Sequence, residues 1–267
     1  MLLRRTLALA GALALCPAPA TAQAIRVPVD RSEIRAALDS VRSWNEWTLE
    51  QQVTLCEIPA PPFGEAVRAA EFARRLGQLG VRDVRIDAVG NVIGVRPGRV
   101  AGPAVLISGH LDTVFPEGTD VSVTRTGTRM DGPGIGDDCR GLAVVLAVAR
   151  ALDQARVQTE TPVLFVGTVG EEGAGNLRGV RHLFTQELKD DVAYFISVDG
   201  AGQDVTHAGV GSVRYRVSYK GPGGHSYGAF GMPNPIHALG RAIAAIGDVT
   251  VPSQPKTTFN VGVIGGG

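Results

Sequence analysis

Ala104-Val105-Leu106-Ile107-Ser108-Gly109-His110-Leu111-Asp112 is an apolar run that ends in an imidazole and a carboxylate. So short an apolar run reads as a strand covered on both faces, as in a parallel or mixed sheet. Two further runs repeat the arrangement. Leu164-Phe165-Val166 continues through Gly167-Thr168-Val169 into Gly170-Glu171-Glu172-Gly173, and Phe195-Ile196-Ser197-Val198 runs into Asp199-Gly200. Helical spacing lies around and between them, at 31–55, 65–79, 139–153 and 177–187. Shorter β signals lie at 82–86 and 91–95, and a hairpin is expected over 121–131. The fold class that follows is α/β, a mixed central sheet with helices on both faces.

In open α/β sheets, ligands sit outside the carboxyl ends of the strands. Three strand ends therefore converge with a fourth group, Gly134-Ile135-Gly136-Asp137-Asp138, which precedes the 139–153 helix. His110, Asp112, Asp137, Asp138, Glu171, Glu172 and Asp199 would bring six carboxylates together, with only Arg140 nearby in sequence. Uncompensated buried carboxylates are too costly, so a cation is expected, and two divalent ions suit the number best. Oxygen and imidazole donors fit zinc first, and also manganese or cobalt. His110 and Asp112 are two apart, so Asp112 is placed to orient the His110 ring. Glu171 and Glu172 are adjacent and diverge, so one can bind metal while the other acts as general base. Taken singly, each element has an ordinary reading: an acidic turn for Glu171-Glu172, a helix cap for Asp137-Asp138, a β-turn for Asp199-Gly200. The ordered set carries the inference.

The motifs resemble the co-catalytic zinc metallopeptidase family of aminoacylase, peptidase T, glutamate carboxypeptidase, acetylornithine deacetylase and succinyl-diaminopimelate desuccinylase. The resemblance covers roughly residues 50–267. Ser108-Gly109-His110-Leu111-Asp112-Thr113-Val114 looks like the first motif and implies His110 as a metal ligand with Asp112 as its partner. The second motif implies Asp137 bridging two zinc ions, and the third implies Glu171 as general base with Glu172 as ligand. Asp199 stands where the family has an acidic ligand. Gly221-Pro222-Gly223-Gly224-His225-Ser226 resembles the opening loop of the family's lid. That implies a homodimer in which His225 reaches the partner's site and polarises the scissile carbonyl. His182, His207 and His237 match no ligand position. The implied activity is hydrolysis of an amide bond in small peptides or N-acyl amino acids.

The 267-residue chain is 44% hydrophobic and 19% charged, which supports a core and excludes wholesale disorder. Lys and Arg balance Asp and Glu at 26 each and aromatics are only 5%, so nucleic-acid binding is not expected. Arg4-Arg5, the apolar stretch Leu7–Leu15 and small residues at 20–24 read as a signal peptide over 1–24. The expected product is exported, periplasmic or secreted, and free of the membrane. Its removal leaves Cys56 and Cys139. A bridge between them is possible, but the position of Cys139 in the site loop reads against it. The expected organisation is a catalytic domain over 25–209 and part of a β-α-β lid over 210–267. The lid is expected to hold strands at 212–219 and 257–263 around a helix at 234–246. Where the family continues to a last ligand histidine, this sequence has none, so it reads as C-terminally truncated. A catalytically incomplete, metal-binding or dimerising fragment is the alternative function.

Overall fold

The computed structural model describes residues 28–200, 202 and 204–266. The segment read as a signal peptide lies outside them. The chain divides into two units, Met1–Gly202 and Gln203–Gly267.

The first unit is built on a five-stranded sheet ordered β1-β2-β6-β3-β7. Its strands are β1 (Arg82–Ile86), β2 (Val92–Arg96), β3 (Ala104–His110), β6 (Val163–Thr168) and β7 (Val192–Ser197). β3 runs parallel to both β6 and β7, whereas β2 pairs antiparallel with β6 and with β1. A separate two-stranded ribbon, β4 (Thr124–Thr126) and β5 (Arg129–Asp131), forms the expected hairpin. The sheet is thus mixed, and the carboxyl ends of its three parallel strands share one edge.

Alternation along β6 divides the core. Val163 and Phe165 join one cluster with Phe72 and Leu76 of α3 (Ala66–Gln78) and Leu142, Val145 and Leu146 of α4 (Cys139–Gln154). Leu164 and Val166 join another with Ile93, Leu106, Leu183 and Leu188 on the opposite face. Helical segments therefore cover both faces, as a strand buried on both sides requires.

Four local expectations are corrected. The single helix over 31–55 is two, α1 (Ser32–Ser43) and α2 (Asn45–Cys56), interrupted at Trp44. The break lets Trp44 and Trp47 both lie against the Arg150 guanidinium, at 4.2 and 4.4 Å. The helix over 177–187 is a short α5 (Arg178–His182) that widens into a π turn over Leu183–Glu187. β7 is not buried on both faces. Among the described residues it is an edge strand pairing only with β3, and Tyr194, Phe195 and Ile196 are exposed. Finally, Cys56 and Cys139 are joined by a disulfide. Cys139 is the first residue of α4, where a side chain points back past the helix N-terminus. That direction sends it to the end of α2 and leaves the acidic groups to their own partners.

The second unit holds α6 (Pro235–Gly247), which begins with Asn234 accepting hydrogen bonds from the amides of Ile236 and His237 at 2.8 and 3.0 Å. The strands expected at 212–219 and 257–263 are absent among its described residues. An alternating segment becomes a strand only when a neighbour takes its backbone groups, and Val213, Tyr215 and Val217 are here exposed.

Candidate metal centre

β3 delivers His110 to the shared edge, where its side chain is buried. The His110 amide donates to Asp138 Oδ2 at 2.7 Å. Its Nδ1 lies 2.9 Å from the main-chain oxygen of Asp112, which accepts the Nδ1 proton and leaves Nε2 free as a donor atom. Nε2 sits 2.8 Å from Asp137 Oδ1. The carboxylate of Asp112 is more distant from the ring, at 3.8 Å. Its oxygens instead accept the amides of Glu171 and Glu172, at 3.0 and 2.8 Å. The residue expected to orient the histidine does so through its backbone, and its buried carboxylate holds the Glu171-Glu172 loop.

Asp137 and Asp138 divide their labour. Asp138 is the buried N-cap of α4, its Oδ1 accepting the Gly141 amide at 2.8 Å. A Cβ at Gly141 would collide with that carboxylate and with the Val198 carbonyl, so glycine lets the helix start close to the end of β7. Asp137 is exposed and turned toward His110.

Two groups of donors form around His110. His110, Asp137 and Asp199 bring one ligand atom each within 4.8 Å of one another, and so do His110, Glu171 and Glu172. The metal-site residues read from the sequence, His110, Asp137, Glu172 and Asp199, thus meet at one place with Glu171. His225 lies in the second unit, exposed, its Nδ1 accepting the amides of Tyr227 and Gly228 at 3.2 and 3.4 Å. His207 and His237 are exposed, and His182 lies beside Asp87 and Glu187.

Crowded carboxylates make the site electrostatically costly. Burial raises the Glu171 carboxyl above its ordinary value, and Asp199, Asp112 and Asp137 add to the rise against His110. Burial and then Asp137 do the same to Glu172. Burial pushes Asp138 up to about 8, with Asp199 adding to it and His110 opposing. For His110, burial acts to lower its value, but Asp138, Asp112, Asp137 and Asp199 together raise it. One imidazole among carboxylate oxygens is a donor set for a divalent transition ion, and an ion there relieves this repulsion. The residues fit the group.

Three charges escaped the sequence reading, two of them buried and the third, Arg178, half-buried. Arg68 is fully buried and donates to the carbonyls of Cys56, Ile58 and Leu111. It thereby fastens the end of α2 and the proline-rich loop to the strand end that carries His110. Glu65 and Arg178 pair at 2.7 Å behind Gly170. Nothing in composition or spacing separates such residues from solvated charges on a helix.

Residues 106–261 match the family model for peptidase family M20/M25/M40. The chain belongs to that family. Among relatives of this M20/M25/M40 chain, one from Pyrococcus abyssi described as a putative [LysW]-lysine/[LysW]-ornithine hydrolase is 38% identical over 113 residues. That match covers 42% of this chain and 30% of the relative. Carboxypeptidase G2 of Pseudomonas sp. (strain RS-16) is 27% identical over 67% of this chain and 45% of its own. A solved tripeptidase of Staphylococcus aureus superposes with a TM-score of 0.50 at 24% identity, covering 59% of this chain and 44% of that one, and so shares the fold. The M20/M25/M40 chain spans less than half the length of each of these proteins.

Proposed function

We propose that this protein is a metal-dependent hydrolase that cleaves amide bonds in small peptides or N-acyl amino acids. The carrying observation is the meeting of two donor groups at His110, with Asp137 and Asp199 in one and Glu171 and Glu172 in the other. Both curated relatives bear the names of hydrolytic enzymes, one of them a carboxypeptidase. His110, Asp137, Asp199 and Glu172 would hold the metal, zinc first, and Asp137 would be the ligand shared if two ions bind. A bound ion supplies Lewis-acid polarisation of the scissile carbonyl and acidifies the attacking water. Glu171 is the general base. It is half-buried and its carboxylate lies within 4.8 Å of the His110 and Glu172 donor atoms, so it would take a proton from water held there and return it to the leaving amine. Asp112 keeps that base in place through the loop amides. His225 carries the remaining role, polarising the substrate carbonyl across a homodimer. Export to an oxidising compartment belongs to the same reading. The Cys56–Cys139 disulfide supports it, because such bridges persist outside the reducing cytosol.

The test is elemental analysis of metal per chain, for the wild type and for Glu172→Ala, followed by a panel of dipeptides and N-acyl amino acids. Metal in the wild type, reduced in the variant, with cleavage in the panel, is the expected result. Absence of metal from the wild type overturns the proposal. Metal without cleavage identifies a binding chain that does not turn over.

A further inference from the structure

The loop that carries Glu171 and Glu172 is held by its amides. It leaves β6 through Val169, whose amide donates to Asn91 Oδ1 at 3.0 Å. The next three amides are each taken by a buried carboxylate. Those of Glu171 and Glu172 go to Asp112, and that of Gly170 goes to Glu65 Oε1 at 3.2 Å. Glu65 precedes α3 and is 3% exposed. Its other oxygen, Oε2, accepts from Arg178 Nη2 at 2.7 Å. Arg178 in turn lies over the Phe63 ring at 4.6 Å and presses on Gly170 from behind. Gly170 has φ +63°, and a Cβ there would collide with the Arg178 guanidinium.

This arrangement does more than close a turn. A carboxylate that faced the metal donors directly would add to their repulsion. Glu65 belongs to neither donor group at His110. Arg178 neutralises it, and its contact with the loop is a single amide one residue before the base. The Glu171-Glu172 loop is therefore held by Glu65 through Gly170 as well as by Asp112 through its own two amides.

We propose that Glu65, braced by Arg178, is a positioning residue for Glu171 and Glu172, acting through the Gly170 amide. The inference rests on the hydrolase reading for its functional meaning, and its first readout does not. That readout is amide hydrogen exchange at Gly170, Glu171 and Glu172, compared with the amides of β6, in the 267-residue chain. The second is zinc affinity by titration. Glu65→Ala should speed exchange at the three loop amides at least tenfold and leave β6 unchanged. Zinc binding should weaken by about tenfold, the lower end of what loss of a ligand's supporting contact costs. Glu65→Gln still offers Gly170 an acceptor and should recover part of both effects.

Faster exchange spread evenly over β6, or zinc affinity within twofold of wild type, would reduce Glu65 to a contributor to folding and overturn the proposal. Should Glu65→Ala fail to fold, Arg178→Met removes the brace from outside and carries the same expectations. Should the wild type bind no zinc, the hydrolase reading fails, and the exchange comparison still decides whether the brace exists.

Discussion

At the scale of single residues, Arg68 shows how this protein uses buried charge. Burial brings its guanidinium down to about 10, with Asp112 opposing, so it remains charged at neutral pH. Removing it strands three carbonyls away from water, each costing on the order of 1 kcal/mol or more. Arg68→Met is therefore expected to lower stability by about 3 kcal/mol in urea denaturation, and to loosen the segment that presents His110. His110→Ala leaves the fold standing and should abolish metal uptake, because both donor groups share that ring; equilibrium dialysis against zinc checks it. The donors were legible in the sequence because His110, Glu171, Glu172 and Asp199 each stand beyond an apolar run and Asp137 stands just before a helix. Asp112 was legible as a site residue but not in what it does. Two positions after His110, its spacing points it at the ring, and only the folded loop reveals the amides it accepts. Glu65, Arg68 and Arg178 were illegible, because burial of a charge depends on partners distant in sequence.

At the scale of elements, α3 carries an ion-pair network on its outer face. Hydrogen bonds from Arg74 and then Arg75 hold the Glu71 carboxyl down at about 2. A folded value below the unfolded one means the contribution is fully present above pH 4.5 and fades as pH falls toward 2. Glu71→Gln should thus cost no more than about 1 kcal/mol at neutral pH, this being a surface network. The difference from wild type should shrink across that acid range in urea titrations. The Cys56–Cys139 bridge clasps α2 to α4 across 83 residues of sequence. Closing a loop of that length stabilises by about 4 kcal/mol in the chain-entropy model. The doubly substituted Cys56→Ser/Cys139→Ser chain should lose about that much, and wild type treated with a dithiol should match it. α3, α4, β3 and β6 were legible because their apolar patterning is strong, whereas the break at Trp44, the short α5 and the exposed edge at β7 were not. The bridge was not, since the direction of Cys139 follows from where α4 begins.

At the scale of the whole molecule, the two units differ in how their backbones are satisfied. In the first, strands pair in a five-membered sheet between two apolar clusters. In the second, the described residues from 204 to 224 form neither helix nor strand and are exposed. Trypsin should therefore cut at Arg216 or Lys220 before any bond within the first unit's sheet, a sequence of events mass spectrometry will resolve. Alternation over 212–219 suggested a strand because pattern reports what a segment could pair with, not whether a partner is present. Every donor gathered at His110 lies on the first side of the Gly202–Gln203 division. A genetic exchange at that junction would pass on all of them as one heritable block, together with Arg68, Glu65 and the disulfide that support them. His225 and its loop would come from the other parent.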